Sequence, residues 1–277
     1  MKKTLYVSDL DGTLLNSQSQ ISSTTKTMLN RLVEEEGINF TIATARTPAT
    51  VVRLLEGVDC RLPLIVMTGA AMWKGGIVDE HYLQASEVES LSALCRKYGV
   101  RPFFYTYNGK IIETYHLPET DDYERQFVEQ RQHSPFKRFV FQERFPSEKA
   151  SRTMLIFAAA DYDRMGKVYN EACRVLKCSM TYYRDIFNPR IGFLEVMAQG
   201  VSKARAAKKL ADKIGATRLV VFGDSPNDLS MREVADVFIA PSNASQEVRH
   251  VADEVAAGND DDCVVRWIAE DLRWGKQ

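Results

Sequence analysis

The sequence predicts an α/β protein with a doubly wound parallel sheet, into which a smaller α+β domain is inserted. In the first and last thirds of the chain, short apolar segments alternate with helical patterns, as they do in β-α-β units. In the middle third, Asn108-Gly109 separates two apolar segments, and this dipeptide is a strong signal for a hairpin with antiparallel pairing. The two patterns together predict two kinds of sheet in one chain.

The first third opens with apolar residues 4–8, which predict a buried strand. Ser22 or Ser23 can cap the helix that follows. Thr47 before Pro48 has the pattern of an N-cap followed by proline at the first helical position. Further elements are predicted at residues 40–43 (strand), 47–55 (helix) and 64–67 (strand).

The last third repeats this alternation, and Gly215 marks the end of its first helix. Because strands that alternate with helices need crossover connections, these segments are expected to join the same parallel sheet in a Rossmann-like core. Strands are predicted at residues 193–196, 219–222 and 237–239, and helices at residues 202–214, 228–234, 244–251 and 263–272.

The middle of the chain differs in composition as well as in pattern, since 19 of the 27 aromatic residues lie between residues 81 and 189. This shift indicates a separate domain. The core is therefore predicted to comprise residues 1–81 and 189–277, and the inserted domain residues 82–188. Within the insertion, strands are predicted at residues 103–107, 110–115, 153–159 and 180–184, and helices at residues 87–98 and 163–176.

Composition excludes several classes of protein. Hydrophobic residues make up 45% of the 277 residues and charged residues 26%, which are ordinary values for a globular protein and exclude a mostly disordered chain. The net charge of −1 offers no electrostatic reason to bind nucleic acid or an anionic membrane. The five cysteines are odd in number and include no C-x-x-C pair, so neither a disulfide framework nor a thiolate zinc site is indicated.

The sequence also lacks the features of membrane and secreted proteins. No run of about 18 apolar residues is present, so no membrane-spanning helix is predicted. The N-terminal residues are charged and reach an acidic residue at once, unlike the apolar stretch of a signal peptide. We therefore expect a cytoplasmic protein, while its oligomeric state stays open.

A first acidic group follows the first predicted strand, in the string Asp9-Leu10-Asp11-Gly12-Thr13. Residues two apart in an extended chain face the same way, so the two carboxylates can converge. Gly12 allows a sharp turn behind them. Open α/β sheets bind ligands beyond the carboxyl ends of their strands, which is where this string lies. The alternative is an ordinary Asp-Gly turn with solvated acids.

A second acidic group follows the strand at residues 219–222, in Gly223-Asp224-Ser225-Pro226-Asn227-Asp228. Two strand ends rich in aspartate suggest a hard cation held by oxygen atoms, and a small number of ligands favours Mg²⁺ over Ca²⁺. N-capping of the next helix is an alternative that explains Asn227 or Asp228 well and Asp224 less well.

Two further residues are candidate anion ligands. Thr44 ends the second strand, and its hydroxyl can bond a phosphate oxygen; a strand-end or N-cap threonine is an equal alternative. Lys203 begins a helix, where the helix dipole favours anions over cations. This unusual position suggests a functional lysine, although surface exposure is the default for a single lysine.

These strings, in this order and at this rough spacing, resemble the four motifs of the haloacid dehalogenase superfamily. The motifs are Asp9 to Thr13, Thr44, Lys203 and Gly223 to Asp228, and the insertion resembles the large cap domain of the Cof-like branch. The resemblance covers essentially the whole chain. Smaller similarities are Thr68-Gly69-Ala70, Gly200-Val201-Ser202-Lys203, Met231 and Asn243-Ala244.

The resemblance implies a Mg²⁺-dependent phosphatase of small phosphorylated metabolites, expected to be sugar phosphates. Asp9 would be the nucleophile that forms a phosphoaspartate, and Asp11 the general acid and base. The implied roles of the other residues are as follows: Mg²⁺ bound by Asp9, the Asp11 backbone carbonyl and Asp224; phosphate bound by Thr44, Lys203 and Asn227; support from Gly12, Arg46 and Asp228.

Two other functions are compatible with the sequence. A phosphosugar mutase or other phosphotransferase would use the same nucleophile but pass the phosphoryl group to another hydroxyl. A regulator that binds a phosphometabolite without catalysis would not need the complete set of acids.

The chain also departs from the Cof-like pattern, because Ala45 replaces a usual glycine and Thr68 a usual asparagine. These departures concern the identity of the substrate more than the type of reaction.

Overall fold

The computed structural model describes residues 3–118, 121–185 and 188–274, and the chain divides into two compact units. The first unit is drawn from Met1–Thr47, Val51–Val78 and Ser202–Gln277, and the second from Pro48–Thr50 and Asp79–Val201. Among the described residues, no helix is long and apolar enough to cross a membrane.

The described residues form strands and helices in both units. The strands are β1 (Thr4–Ser8), β2 (Asn39–Ile42), β3 (Leu64–Val66), β4 (Ala71–Trp73), β5 (Ile77–Glu80), β6 (Phe103–Tyr107), β7 (Ile112–His116), β8 (Lys137–Phe141), β9 (Thr153–Asp161), β10 (Ser179–Arg184), β11 (Ile191–Met197), β12 (Arg218–Phe222), β13 (Val237–Pro241) and β14 (Glu254–Ala256). The helices are α1 (Ser23–Glu35), α2 (Pro48–Leu54), α3 (Ala85–Lys97), α4 (Asp122–Glu129), α5 (Tyr162–Val175), α6 (Lys203–Ile214), α7 (Leu229–Arg232), α8 (Gln246–Val251) and α9 (Cys263–Trp274).

The first unit is built on the predicted parallel sheet, with strand order β14-β13-β12-β1-β2. β1 lies between β12 and β2, and Ser8 at its end is paired with Phe222 of β12 and Ile42 of β2. Three strands therefore end side by side. Their apolar side chains, such as Val7 and Val221, are fully buried, which stabilises the sheet by removing them from water.

The second unit contains an antiparallel sheet of order β10-β11-β9-β6-β7-β8, with β7 and β8 as its parallel pair. The predicted hairpin is present, since β6 and β7 pair antiparallel with Phe104 opposite Tyr115. Gly109 in the turn has a φ of 91°, a conformation that glycine adopts without strain. Apolar residues of α3 and α5, including Leu91 and Val168, form one core with the sheet. The α/β fold with a separate antiparallel domain is therefore confirmed.

One predicted strand belongs to a different sheet from the one expected. Residues 193–196 were expected to join the parallel core, with the chain returning to it at residue 189. Instead β11 lies between β9 and β10 and pairs antiparallel with both, for example Phe193 with Ala159. A short apolar segment indicates a buried strand but not its partner. Ser202, directly before α6, is the point at which the chain re-enters the first unit.

Further elements differ from the sequence prediction: β3 pairs antiparallel with β4 in a separate sheet of order β3-β4-β5, and β4, β5 and β14 have no predicted counterpart. Helix α4 and strand β8 were missed, although Asp121 and Glu124 form a capping box at the start of α4. β8 contains Lys137 and Arg138, and strands with charged residues carry a weak apolar pattern. The helix expected at residues 228–234 is a 3₁₀ turn over Pro226–Asp228 followed by the single turn of α7.

Candidate functional site

The three neighbouring strand ends of the first unit carry the residues that the sequence singled out. Asp9 follows β1, Asp224 lies two residues after β12, and Thr44 lies two residues after β2. Thr13 donates a hydrogen bond of 3.0 Å from its hydroxyl to Asp224 Oδ1. A parallel sheet places the ends of adjacent strands together, and so it assembles residues that are about two hundred positions apart.

Gly12 is required where these two acidic segments meet. Its φ is 75°, and a Cβ atom at this position would lie 2.4 Å from Asp224 Oδ2. The turn after β1 is closed by a hydrogen bond from the Leu15 N–H to the Leu10 carbonyl. A side chain at residue 12 would therefore displace the carboxylate of Asp224, which explains the glycine that the sequence shows here.

Three carboxylates form a cluster that fits a divalent cation. Asp9, Asp224 and Asp228 each offer one oxygen, and these oxygens lie within 4.8 Å of one another. Asp9 and Asp228 are buried, and Asp224 is half-buried. Burial and the charge of Asp228 raise the pKa of Asp224 to about 7, and the same two causes raise the pKa of Asp9. Such crowding of anions is relieved by a hard cation, so the donor set fits Mg²⁺.

Lys203 is buried against this cluster. Its Nζ donates to Asp9 Oδ1 at 2.6 Å and to Asp228 Oδ1 at 2.7 Å, and Asn227 Oδ1 is 3.5 Å away. Burial alone would lower the pKa of Lys203, but the charges of Asp228 and Asp9 outweigh it and raise the pKa. The lysine is therefore a buried cation, and the surface position that is usual for lysine does not apply.

A second glycine allows this lysine to reach the site. Gly69 has a φ of 92°, and a Cβ atom there would lie 2.4 Å from the carbonyl oxygen of Ser202. Ser202 caps α6 by accepting a hydrogen bond from the Arg205 N–H. The turn at Thr68 and Gly69 thus packs directly against the start of the helix that carries Lys203.

Asp228 organises the loop that contains Asp224. Its Oδ2 accepts hydrogen bonds from the backbone N–H groups of Asp224 and Ser225, both at 3.1 Å, while its Oδ1 bonds Lys203. The Ser225 hydroxyl donates to Asn227 Oδ1 at 2.7 Å. The alternative of N-capping the next helix is therefore not what its side chain does: Asp228 precedes α7 without a side-chain cap bond, and its carboxylate instead bonds the preceding loop and the buried lysine.

Asp11 and Thr44 both contact Arg46. Arg46 donates two hydrogen bonds to the carboxylate of Asp11, at 2.7 and 2.6 Å, and the Asp11 side chain is 48% exposed. Burial would lower the pKa of Arg46, but Asp11 raises it. The Thr44 hydroxyl accepts the Arg46 N–H at 3.1 Å, which is the strand-end role given above as the alternative for this threonine. Arg46 therefore links Asp11 and Thr44, two residues that the sequence predicted for the site.

Two asparagines that received no role from the sequence hold the turn after β1. Asn243 donates to the Gly12 carbonyl at 2.8 Å and accepts the Asn259 N–H at 2.9 Å. Asn259 in turn donates to the Leu15 carbonyl at 2.8 Å. Asn243-Ala244 was noted as a similarity to the Cof-like branch, but single amides in loops carry no chemical signal of their own. Asn259 has no such signal in the sequence at all.

For the Mg²⁺-dependent reaction that the sequence predicts, we expect Asn243→Ala to lower kcat about tenfold and to raise the Mg²⁺ concentration needed for half-maximal activity. Two hydrogen bonds are lost, each contributing about 0.5–1.5 kcal/mol, and the turn that carries Asp11 and Gly12 is loosened. Steady-state kinetics over a Mg²⁺ series measure both values. Asn30→Ala is the matched control, since Asn30 also bonds one carbonyl and one N–H, those of Gly57 and Asp59. Equal losses in the two variants would contradict a positioning role.

Comparisons with known proteins agree with the family resemblance of the sequence motifs. A family model described as haloacid dehalogenase-like hydrolase matches residues 6–268. The 5-amino-6-(5-phospho-D-ribitylamino)uracil phosphatase YcsE of Bacillus subtilis is 26% identical, covering 95% of this chain and 94% of the relative. YwtE, a phosphatase of the same name from that organism, is 27% identical and covers 94% and 95%. The crystal structure of a haloacid dehalogenase-like hydrolase from Bacteroides thetaiotaomicron matches with a TM-score of 0.78 and 27% identity, covering 97% of this chain and 99% of that one.

Proposed function

Because the chain belongs to the haloacid dehalogenase-like hydrolase family and is a phosphatase, we propose that it hydrolyses sugar phosphates and related small phosphate esters through a phosphoaspartate on Asp9, with Mg²⁺ as cofactor. One observation carries this proposal. Asp9 lies directly after β1, bonded to a buried lysine and within 4.8 Å of two further carboxylates. A nucleophile, a cation for the phosphoryl group and a set of metal ligands thus meet at one point.

The proposed reaction has two steps. In the first, a carboxylate oxygen of Asp9 forms a bond to phosphorus while the ester P–O bond breaks, and Asp11 gives a proton to the leaving alkoxide. In the second, Asp11 takes a proton from water, whose oxygen attacks phosphorus and releases Asp9 and inorganic phosphate. Lys203 and the Thr44 hydroxyl bind phosphoryl oxygens, with Asn227 beside the lysine.

We propose that Asp9, Asp224 and the backbone carbonyl of Asp11 hold Mg²⁺. When bound, the metal neutralises the repulsion between a carboxylate and a phosphate dianion and stabilises the charge of the transition state. Asp228, whose oxygens already bond Lys203 and two backbone N–H groups, supports the loop. Gly12 supplies the space for Asp224, and Arg46 orients Asp11.

Chelation is expected to abolish phosphate release, and added Mg²⁺ to restore it. Asp9 and Asp224 are the proposed carboxylate ligands of the cation, and the mutual repulsion of the three crowded carboxylates leaves the site poorly suited to a phosphate dianion without one. Ca²⁺ is expected to restore little activity, because it takes more ligands and a looser geometry than Mg²⁺. Phosphate release is measured in EDTA, then after each metal is added. Full activity in EDTA would contradict the metal site.

The Asp11→Asn variant is expected to lose about 10²–10⁴-fold in kcat/KM on a sugar phosphate and far less on an aryl phosphate. An aryl oxide leaves without a proton, whereas an alkoxide needs one. Asp11 is 48% exposed and held by Arg46, so the change removes a charge without leaving a cavity in the core. The control is Asp59→Asn, which removes an aspartate that is likewise paired with an arginine, Arg61. Equal losses on the two substrates would contradict the role of Asp11 as the acid.

The substrate class is supported by the relatives, whose names describe phosphatases that act on the phosphate of a ribityl chain. We propose that this chain likewise acts on phosphate esters of polyhydroxylated carbon chains, and that the inserted domain, taken as residues 82–188, chooses among them. The test is phosphate release from a panel of sugar phosphates, sugar-alcohol phosphates and nucleotides. A phosphosugar mutase would instead yield an isomeric sugar phosphate without free phosphate. A binding protein would turn over none of the panel.

A further inference from the structure

The second unit contains a pocket of about 520 Å³ that the proposed phosphatase reaction does not use. All of its lining residues belong to this unit. They come from helix α3, from the loop between α3 and β6, from β6 and the end of β7, and from the loop at residues 142–145. Pockets of about 300–1,000 Å³ are of the size that holds small organic ligands.

One wall of this pocket is made of aromatic rings. Phe104 and Phe145 are stacked with their centroids 4.2 Å apart, and Tyr115 meets Phe145 edge-on at 5.5 Å. Phe104 and Tyr115 are buried, and Phe145 is half-buried. The rings are held in place by their mutual contacts, so this wall can receive a planar or apolar group without rearranging.

The rest of the lining is rich in arginine. Arg101 already bonds Glu124 and Asp121, so its charge is balanced. Arg96 and Arg144, by contrast, are exposed, and their side chains make no hydrogen bond or ion pair with any described residue. Glu143 is the one acid among the lining residues. Planar guanidinium groups bind carboxylates and phosphates in a bidentate manner, and two of them here are available to do so.

From this combination we propose that the pocket binds a small organic anion that joins a planar or apolar body to a phosphate or carboxylate. The body lies against the wall of Phe104, Tyr115 and Phe145, and the anionic group bonds Arg96 and Arg144. The charge of this pocket is opposite to that of the cluster in the first unit, which consists of carboxylates and fits a cation. The residues of the pocket all belong to the second unit and those of the carboxylate cluster to the first, so the two sites share no residue.

Isothermal titration of the full-length chain with adenosine monophosphate tests this proposal. The Asp9→Asn variant is used in EDTA, so that hydrolysis does not contribute heat. We expect a dissociation constant below about 1 mM. Adenosine and ribose 5-phosphate, which each carry one half of the probe, are expected to bind at least about tenfold more weakly.

Variants on this background locate the binding. Arg96→Gln with Arg144→Gln is expected to weaken the binding of adenosine monophosphate about tenfold or more, since hydrogen bonds to charged groups are lost. Glu143→Gln is expected to tighten it. The control Arg174→Gln changes an exposed arginine on α5, outside the pocket, and is expected to have no effect.

Two results would overturn the proposal. One is the absence of binding at millimolar probe. The other is that the Arg96→Gln/Arg144→Gln protein binds the probe as tightly as its parent, while Lys203→Met abolishes binding. That result would place the probe at the reaction centre. Thermal unfolding of each variant verifies that it is folded. Phosphatase activity is measured separately on the wild-type background. A protein that lacks this binding site can therefore be distinguished from one that lacks the proposed reaction.

Discussion

Replacing Asp9 by asparagine is expected to lower kcat by about 10³-fold or more while the protein stays folded. An amide cannot form an acyl phosphate, and a residue that acts as the nucleophile contributes the largest single effect in such sites. The change also removes one of three crowded carboxylates, a buried group whose pKa is raised by burial and by Asp228. Lys203 also keeps its ion pair with Asp228 at 2.7 Å, so its charge stays balanced and the variant is expected to fold.

Three measurements check this prediction. Phosphate release gives kcat, thermal unfolding reports stability, and mass spectrometry after acid quench detects a phosphorylated species in the parent that is absent in the variant. Asp212→Asn serves as the control, since Asp212 is an exposed aspartate on α6 paired with Lys208. Ordinary activity in the Asp9→Asn variant would contradict the covalent pathway.

Lys203→Met is expected to cost both activity and stability. The lysine is 1% exposed and bonds two buried carboxylates, and removing one partner of a buried ion pair costs about 3–5 kcal/mol. Turnover should fall about 10²–10³-fold, because a fixed cation for the phosphoryl oxygens is lost. This is the largest effect on stability that we expect from a single side chain of the site.

The loss of stability should depend on pH. Without Lys203, the pKa of Asp9, which burial and Asp228 already raise, rises further. A carboxyl group whose pKa is higher in the folded protein than in the unfolded chain destabilises the fold as the pH rises between the two values. The destabilisation by Lys203→Met, measured in EDTA by urea unfolding, should therefore be larger at pH 8 than at pH 5.

Lys208→Met is the matched control for this experiment. Lys208 lies on the same helix and pairs with Asp212 at its surface, where such pairs contribute about 0.3–0.5 kcal/mol. A loss in Lys203→Met no larger than that in Lys208→Met, with no dependence on pH, would show that the buried cation is not needed to balance the acids.

The motif residues were found from sequence because their signals are local. Asp9, Asp11 and Gly12 stand together after one apolar strand, and Asp224 after another, so chain order alone indicated a shared edge of the sheet. Contacts between residues far apart in the chain leave no local pattern in the sequence. The clamp of Arg46 on Asp11 and the support of the turn by Asn243 depend on side chains that meet after folding.

Periodicity and turn residues in the amino-acid sequence were sufficient to establish the α/β class, the hairpin at Asn108-Gly109 and the acids at the strand ends, because each depends on neighbours within a few positions. Only the tertiary structure decided which strands pair, because an apolar segment is buried equally well by several partners. β11 is the example. The tertiary structure also settled the burial of Lys203 and the pocket beside Arg96 and Arg144. Charge balance and close packing are properties of groups brought together in space, and no single segment of the chain contains them.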